Sequence, residues 1–306
     1  MIKEIDENDE YSRTVEDLIS IYEEEPTLKD VFVEGEHDKH FFEFFFDYNN
    51  LENIVVYQIS SISIREKIFN ELGLQNKKSK KNQVISLAYD LFINLSSYKQ
   101  LRCIVDKDMD EYFEDSLFHW DLLLYTDYTS REMYFLNPMT IKKFIKLYLH
   151  GLPISEFELI KKICQILQEI FLIRLTLKKI DENVELIPFS NKKRCPSLKF
   201  NITFNSSKYI KDLIISRALN IKFESFVSII NDFREKLSED VRNNIRGHDF
   251  SNLLAYFLGK NYKRKINKKS RKFDEINVEA SLYSCIEISD LLEENLFKNL
   301  YNWASN

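Results

Sequence analysis

Asp30-Val31-Phe32-Val33-Glu34-Gly35-Glu36-His37-Asp38-Lys39-His40-Phe41-Phe42 is the stretch whose reading decides the fold. Asp30 to Val33 is a short apolar, β-branched run that stops at Glu34-Gly35, and an aromatic-rich helical segment continues from Asp38 to Tyr48. The order is strand, turn, helix. The same succession recurs downstream: Ile54 to Ile59 reads as a second strand, helical material runs to about Ser96, and Leu101 to Val105 is a third strand ending at Asp106. A fourth run, Asp121 to Tyr125, precedes Thr126-Asp127. Upstream, Ser12 or Thr14 caps a helix that runs to about Glu25 and ends at Pro26. Strands alternating with helices imply a parallel sheet joined by right-handed crossovers and covered on both faces, so the fold class is α/β.

From Thr140 onward the pattern turns helical, with stretches at 140 to 150, 155 to 180, 207 to 237 and 276 to 303. Two β-prone runs, Val184 to Pro188 and Leu198 to Phe204, interrupt them. The expected organisation is an acidic helical segment over 1–27, an α/β domain over 28–139 and a mainly helical region over 140–306, with the second boundary set after Asn137-Pro138. A 44% hydrophobic share in 306 residues suffices for a real core, and five Gly and five Pro leave little room for long irregular segments. Cys103, Cys164, Cys195 and Cys285 lack the paired spacing of a zinc site and are expected to be reduced, buried thiols. No apolar run reaches the roughly 18 residues of a membrane span, and the acidic start is unlike a signal peptide; a cytoplasmic protein is expected.

The net charge of -6 is unevenly spread. Residues 1–25 carry ten acids against Lys3 and Arg13, so the body that follows is mildly basic. Ligands of a parallel α/β sheet gather beyond the carboxyl ends of its strands, and three acidic features stand there. Glu34 ends the first strand; Asp106-Lys107-Asp108-Met109-Asp110 follows the third; Asp127, with Glu132 close behind, follows the fourth. Asp38, four residues after Glu34, points to the same end if the helix begins near Glu36. Carboxylates gathered so closely repel unless a cation neutralises them, and oxygen-only ligands favour Mg²⁺ or Mn²⁺. Glu34, Asp38, Asp106, Asp108 and Asp110 are therefore the expected metal ligands, with Glu34, Asp106 and Asp108 also catalytic. The alternative is an ordinary charged surface, which 49 acids make easy to produce. Gly35 is expected to let the backbone turn tightly beside the acid.

Val33-Glu34-Gly35-Glu36-His37-Asp38-Lys39 with Phe41-Phe42 resembles the first motif of toprim domains, and Ile104-Val105-Asp106-Lys107-Asp108-Met109-Asp110 resembles the second. The pairing of Glu34-Gly35 with a second acid at Asp38 is similar to the OLD nucleases. Thr126-Asp127-Tyr128 through Glu132 to Leu136, and Gly247-His248-Asp249, resemble the standalone toprim effectors that accompany ABC-type ATPases in PARIS-type anti-phage defence. The resemblance covers roughly residues 28 to 137 well and the rest thinly. It implies a toprim-like sheet and a Mg²⁺- or Mn²⁺-dependent endonuclease that cuts tRNA or DNA, the toxic agent of abortive infection released by a partner ATPase. The alternative is a non-catalytic toprim-fold module that binds or regulates an ATPase complex. No G-x-x-x-x-G-K-[ST] loop is present to bind ATP, so the ATPase is expected to be a separate chain. The acidic Glu4 to Glu25 segment is its first docking candidate, and the helical region a further one and a homodimer contact.

Two basic runs are candidate nucleic-acid contacts. Lys260 to Lys272 has eight basic residues in thirteen, among them Lys263, Arg264, Lys265, Lys268 and Lys269, with Tyr262 available for stacking. Lys77, Lys78, Lys80 and Lys81 form a smaller patch. An exposed loop is the bland reading of each. Gly35, Glu132 and His248 are supporting residues; for His248 a structural histidine beside an Asp249 helix cap is the alternative. The Phe41 to Phe46 cluster reads as core or as an oligomer surface.

Overall fold

The computed structural model describes residues 13–95, 99–113, 117–149, 154–180, 183–188, 204–261 and 274–306. By internal contacts the chain forms two compact units. The first comprises Met1–Lys107, Asp115–Asp127 and Ile288–Asn306, and the second Asp108–Glu114 and Tyr128–Glu287.

The first unit opens with β1 (Arg13–Thr14) and α1 (Val15–Glu24). Thr14 caps α1 by accepting the Asp17 N–H, while the Asp17 carboxylate accepts the Thr14 N–H at 2.9 Å, a reciprocal box that satisfies donors at both ends of the turn. Then come β2 (Lys29–Val33), α2 (Glu36–Tyr48), β3 (Ile54–Gln58), β4 (Ile62–Ser63), α3 (Glu66–Glu71), α4 (Lys80–Asn94), β5 (Leu101–Val105) and β6 (Leu123–Tyr125). The main sheet has the order β3-β2-β5-β6 with every pair parallel. From β2 the chain steps to β3 on one side, then passes back over β2 to β5. Right-handed crossovers therefore place α2 and α4 on opposite faces.

Side-chain alternation agrees. Phe32, Leu101, Cys103 and Val105 pack with Val15, Leu18 and Tyr22 of α1 and with Val84, Leu87, Ala88 and Leu91 of α4. Val31 and Val33, one residue out of phase, are equally buried and face the other way. The aromatic side of α2 is core: Phe41, Phe42, Phe45 and Phe46 are all buried. Their cover comes from far along the chain, from α12 (Asn295–Ser305), which follows the short α11 (Ile288–Leu291). Phe297 of α12 stands 5.6, 5.8 and 4.8 Å, centroid to centroid, from Phe41, Phe42 and Phe45. Lys29 donates to the Ala304 carbonyl at 2.9 Å, tying the end of α12 to the start of β2.

The second unit is helical: α5 (Pro138–Tyr148), α6 (Glu156–Lys179), α7 (Ser206–Ser216), α8 (Phe223–Arg234), α9 (Gly247–Asn261) and α10 (Glu275–Tyr283). α6 packs against α5, α8 and α9, and its buried residues fall on more than one side, as a central helix requires. The expected long helices over 207–237 and 276–303 are each divided. α7 ends in a Schellman-type cap, with Leu219 N–H donating to Ile214 O at 3.0 Å across Ala218 at φ 51, and α8 begins only at Phe223. α10 stops at Tyr283, well short of α12.

Val184 to Pro188 is not a strand. Its carbonyls are taken by side chains instead, Glu185 O by Arg217 at 2.8 Å and Ile187 O by Tyr209 at 3.0 Å. Of the Leu198 to Phe204 run only Phe204 lies within the described residues. No described helix is long and apolar enough to cross a membrane. Cys103, Cys164 and Cys285 are buried free thiols; Cys195 lies outside the described residues.

Candidate functional site

β2 and β5 are neighbouring parallel strands, with Phe32 paired to Cys103, so the residues just past their carboxyl ends emerge side by side. Glu34 and Asp106 occupy those positions. The Asp106 N–H donates to Glu34 Oε1 at 2.9 Å, linking the two strand ends through a group proposed as a ligand. Asp38 lies in the first turn of α2, and its Oδ2 accepts the Gly35 N–H at 3.2 Å. That bond is a helix-capping contact, and a carboxylate near a helix N-terminus is also favoured by the helix dipole. Glu34, Gly35, Asp38 and Asp106 are all half-buried, as residues at a loop-lined crevice would be. Gly35 itself is extended at φ -148, a conformation open to any residue, and a Cβ there would make ordinary contact 3.7 Å from Asp38 Oδ2. The chain does bend at Glu34-Gly35, but through a conformation that does not require glycine.

The loops after β5 and β6 are cross-braced. Lys107 N–H donates to Thr126 Oγ1 at 3.0 Å, Lys107 Nζ to Asp127 O at 2.8 Å, and Thr126 N–H to Val105 O at 3.0 Å. The Asp127 carboxylate accepts the Leu296 N–H at 3.0 Å, so it caps α12. Lys81, at the start of α4, is buried and donates Nζ to Lys107 O at 3.3 Å. A lysine ammonium is thereby held against the backbone of the acidic loop. Lys77 is ion-paired with Glu66, Lys80 reaches Gln83 at 3.4 Å, and Lys78 is exposed. Lys263, Arg264, Lys265, Lys268 and Lys269 lie outside the described residues.

The remaining acids belong to the second unit. Asp108 sits in the left-handed region at φ 56, where its N–H donates to Thr129 O at 2.7 Å. Asp and Asn tolerate that conformation better than most residues, and backbone strain of this kind gathers at functional loops. Asp110 is ion-paired to Lys178 at 2.9 Å. Glu132 is buried beside Arg131, 3.4 Å away, and Arg131 also holds Glu279 at 2.6 Å. Burial pushes the Glu132 pKa up, but the Arg131 guanidinium, with smaller contributions from Ser130 and then His248, outweighs it, and the net displacement is downward.

Gly247 opens α9 against this carboxylate: a Cβ there would lie 2.8 Å from Glu132 Cδ and closer still to Glu132 Oε2 and Ser130 Oγ. Asp249 is not the helix cap expected of it. The helix begins two residues earlier, and the Asp249 carboxylate takes a bidentate pair of hydrogen bonds from Arg174 at 2.6 and 2.7 Å. His248 is largely exposed, with Nδ1 3.3 Å from Glu275 Oε1.

The donor set at the β2 and β5 ends, all oxygen and anionic, fits a hard divalent cation. Among the described residues, no three His, Cys, Asp or Glu side chains are grouped so as to hold a metal ion. Glu34 and Asp38 each turn an oxygen toward a backbone N–H. No protein-family model matches the chain, and no curated protein matches it in sequence.

Proposed function

We propose that this chain is a Mg²⁺- or Mn²⁺-dependent nuclease of toprim type that cuts a phosphodiester of tRNA or DNA. On the same reading it is the toxic effector of an anti-phage system and is held in check by a separate ATPase of the ABC/OLD class. The observation that carries it is the placement of Glu34 and Asp106 just past the carboxyl ends of adjacent parallel strands, where the Asp106 backbone N–H donates to Glu34 Oε1 at 2.9 Å. Glu34, Asp38 and Asp106 would hold the ion, and the sequence motif adds Asp108. A bound divalent ion polarises the scissile phosphate and lowers the pKa of a coordinated water. As an alternative to holding the ion, Glu34 accepts the water's proton, because it sits where β2 releases the chain into the site.

A second reading, a non-catalytic module that binds or regulates the ATPase complex, draws on the ungrouped state of the carboxylates. Cleavage assays with Mg²⁺ or Mn²⁺, together with Mn²⁺ titration followed by electron paramagnetic resonance, separate the two. Glu34→Ala and Asp106→Ala are each expected to lose cleavage, or cellular toxicity, by at least a hundredfold and to weaken Mn²⁺ binding. Retained cleavage in both variants sinks the site. A wild-type protein that binds no Mn²⁺ and cuts nothing with its ATPase partner released favours the second reading.

A further inference from the structure

The 3-10 turn Asp110–Tyr112, which follows the Asp106-x-Asp108 motif along the chain, leads into a hollow of about 650 Å³ in the second unit. Its lining is partly aromatic and partly charged: Tyr112, Phe113 and Phe233, beside Ile180 and Ile229, meet Lys179, Lys236 and Asp232. Phe113 and Phe233 stand 5.8 Å apart at an interplanar angle of 57°. Lys178, bound to Asp110, lies 4.6 Å from the Phe113 ring centroid. Tyr112 is fixed in place, since its hydroxyl donates to Asn244 Oδ1 at 2.5 Å and its ring packs 5.4 Å from Phe171. Asn244 is itself held by Ser238, donating Nδ2–H to Ser238 O at 2.7 Å and accepting the Ser238 N–H at 3.0 Å. Tyr112 is therefore tied to its neighbours without a ligand, and a fixed side chain lowers the entropic cost of binding. A second hollow of about 400 Å³ shares Tyr112 and Lys236 with the first and adds Glu111 and Ser238. Lys179 and Lys236 are exposed and have no ion-pair partner among the described residues.

We propose that this double hollow is a binding site for unpaired nucleotides of single-stranded nucleic acid, with a base against Phe113, which the buried Phe233 backs, and the adjoining phosphate on Lys236. An aromatic wall takes the π-face of any base, but only one that has left its stack, so a duplex cannot use it. Lys236, lining both hollows, stands where a backbone phosphate joins one nucleotide to the next. Asp232 and Glu111 offer acceptors for exocyclic amines or sugar hydroxyls. A purely apolar ligand would make no use of Lys236, and an acidic peptide would have no use for the Phe113 ring. The proposal rests on the nuclease reading and narrows its substrate to single-stranded segments, in loops or in open strands.

Fluorescence anisotropy with a short fluorescein-labelled oligonucleotide, measured in EDTA with the full chain, tests it without cleavage. Single-stranded RNA, single-stranded DNA and a duplex of the same sequence are compared. Phe113→Leu, which keeps apolar bulk, is expected to weaken single-strand binding about tenfold. Lys236→Gln is expected to lower the salt slope by about one phosphate contact. Duplex binding should be unchanged by either, and thermal melting reports whether each variant is folded. Equal loss on single strand and duplex, wild-type binding by both folded variants, no binding by the wild type, or displacement by an acidic peptide as readily as by oligonucleotide each overturn the proposal. Glu34→Ala should bind as wild type in EDTA. If Glu34→Ala still cleaves while Phe113→Leu binds weakly, the metal site is wrong and the nucleotide site stands.

Discussion

Gly247→Ala is expected to be costly for a reason that helix propensity alone would reverse. At a helix position, alanine is ordinarily better than glycine by up to about 1 kcal/mol. Here the new methyl meets Glu132 Cδ at 2.8 Å, with Oε2 and Ser130 Oγ nearer, and all of these atoms are buried. Overpacking of this kind costs about 1–3 kcal/mol. Moving the Glu132 carboxylate away from Arg131 adds part of the roughly 3–5 kcal/mol that breaking a buried ion pair costs. Against the propensity gain, the expected net loss is about 2–4 kcal/mol. Urea unfolding should be followed by far-UV circular dichroism as well as tryptophan fluorescence, because Trp120 and Trp303 both belong to the first unit while Gly247 lies in the second. In the double variant Gly247→Ala, Glu132→Ala the obstructing carboxylate is gone and Arg131 keeps Glu279, so the two effects should be non-additive by at least about 1 kcal/mol. A Gly247→Ala protein within about 0.5 kcal/mol of wild type, or strictly additive effects, refutes the close approach of α9 to Glu132.

Two further outcomes test the packing of the first unit. Asp30 is buried, accepts a hydrogen bond from Tyr22 at 2.7 Å, and has its pKa raised, chiefly by burial. Its folded pKa lies above the unfolded one, so the stabilisation by its protonated form is complete below the ordinary 3.8 and is lost as pH rises through the folded value. Asp30→Asn keeps the acceptor without the charge. It should be more stable than wild type at neutral pH, with urea midpoints converging below pH 3.8, and a pH-independent gap would contradict the burial of the charge. Phe297→Ala, which removes a ring lying 4.8 to 5.8 Å from three phenylalanines of α2, should cost about 3–5 kcal/mol, and a loss under about 1 kcal/mol would mean that α12 does not cover that face.

What was legible in the chain depended on whether the signal was local. Val31-Phe32-Val33 and Leu101 to Val105 declared themselves as strands because β-branched runs bounded by turn residues have few other uses, and the acids that ended them were thereby placed at strand ends. The division of the 207–237 helix was hidden because its left-handed cap uses Ala218 in place of the glycine that usually marks one. The return of α12 to α2 had no local sign at all; the only hint was that four buried phenylalanines in one turn-and-a-half demanded a cover that neighbouring sequence did not supply. Side-chain engagement was equally invisible. Lys81 against the Lys107 carbonyl, Asp249 in the grip of Arg174 and Glu132 beneath Gly247 are pairings between residues from 26 to 115 positions apart. A motif can name an acid, but only the folded neighbours determine whether its oxygens are committed to a cap, an arginine or an ion. Asp127, which accepts the Leu296 N–H at the start of α12, and Glu34, which accepts the Asp106 N–H at the neighbouring strand end, differ in that respect although both follow a strand. That difference is why the proposed chemistry is placed on Glu34 and Asp106 and not on Asp127.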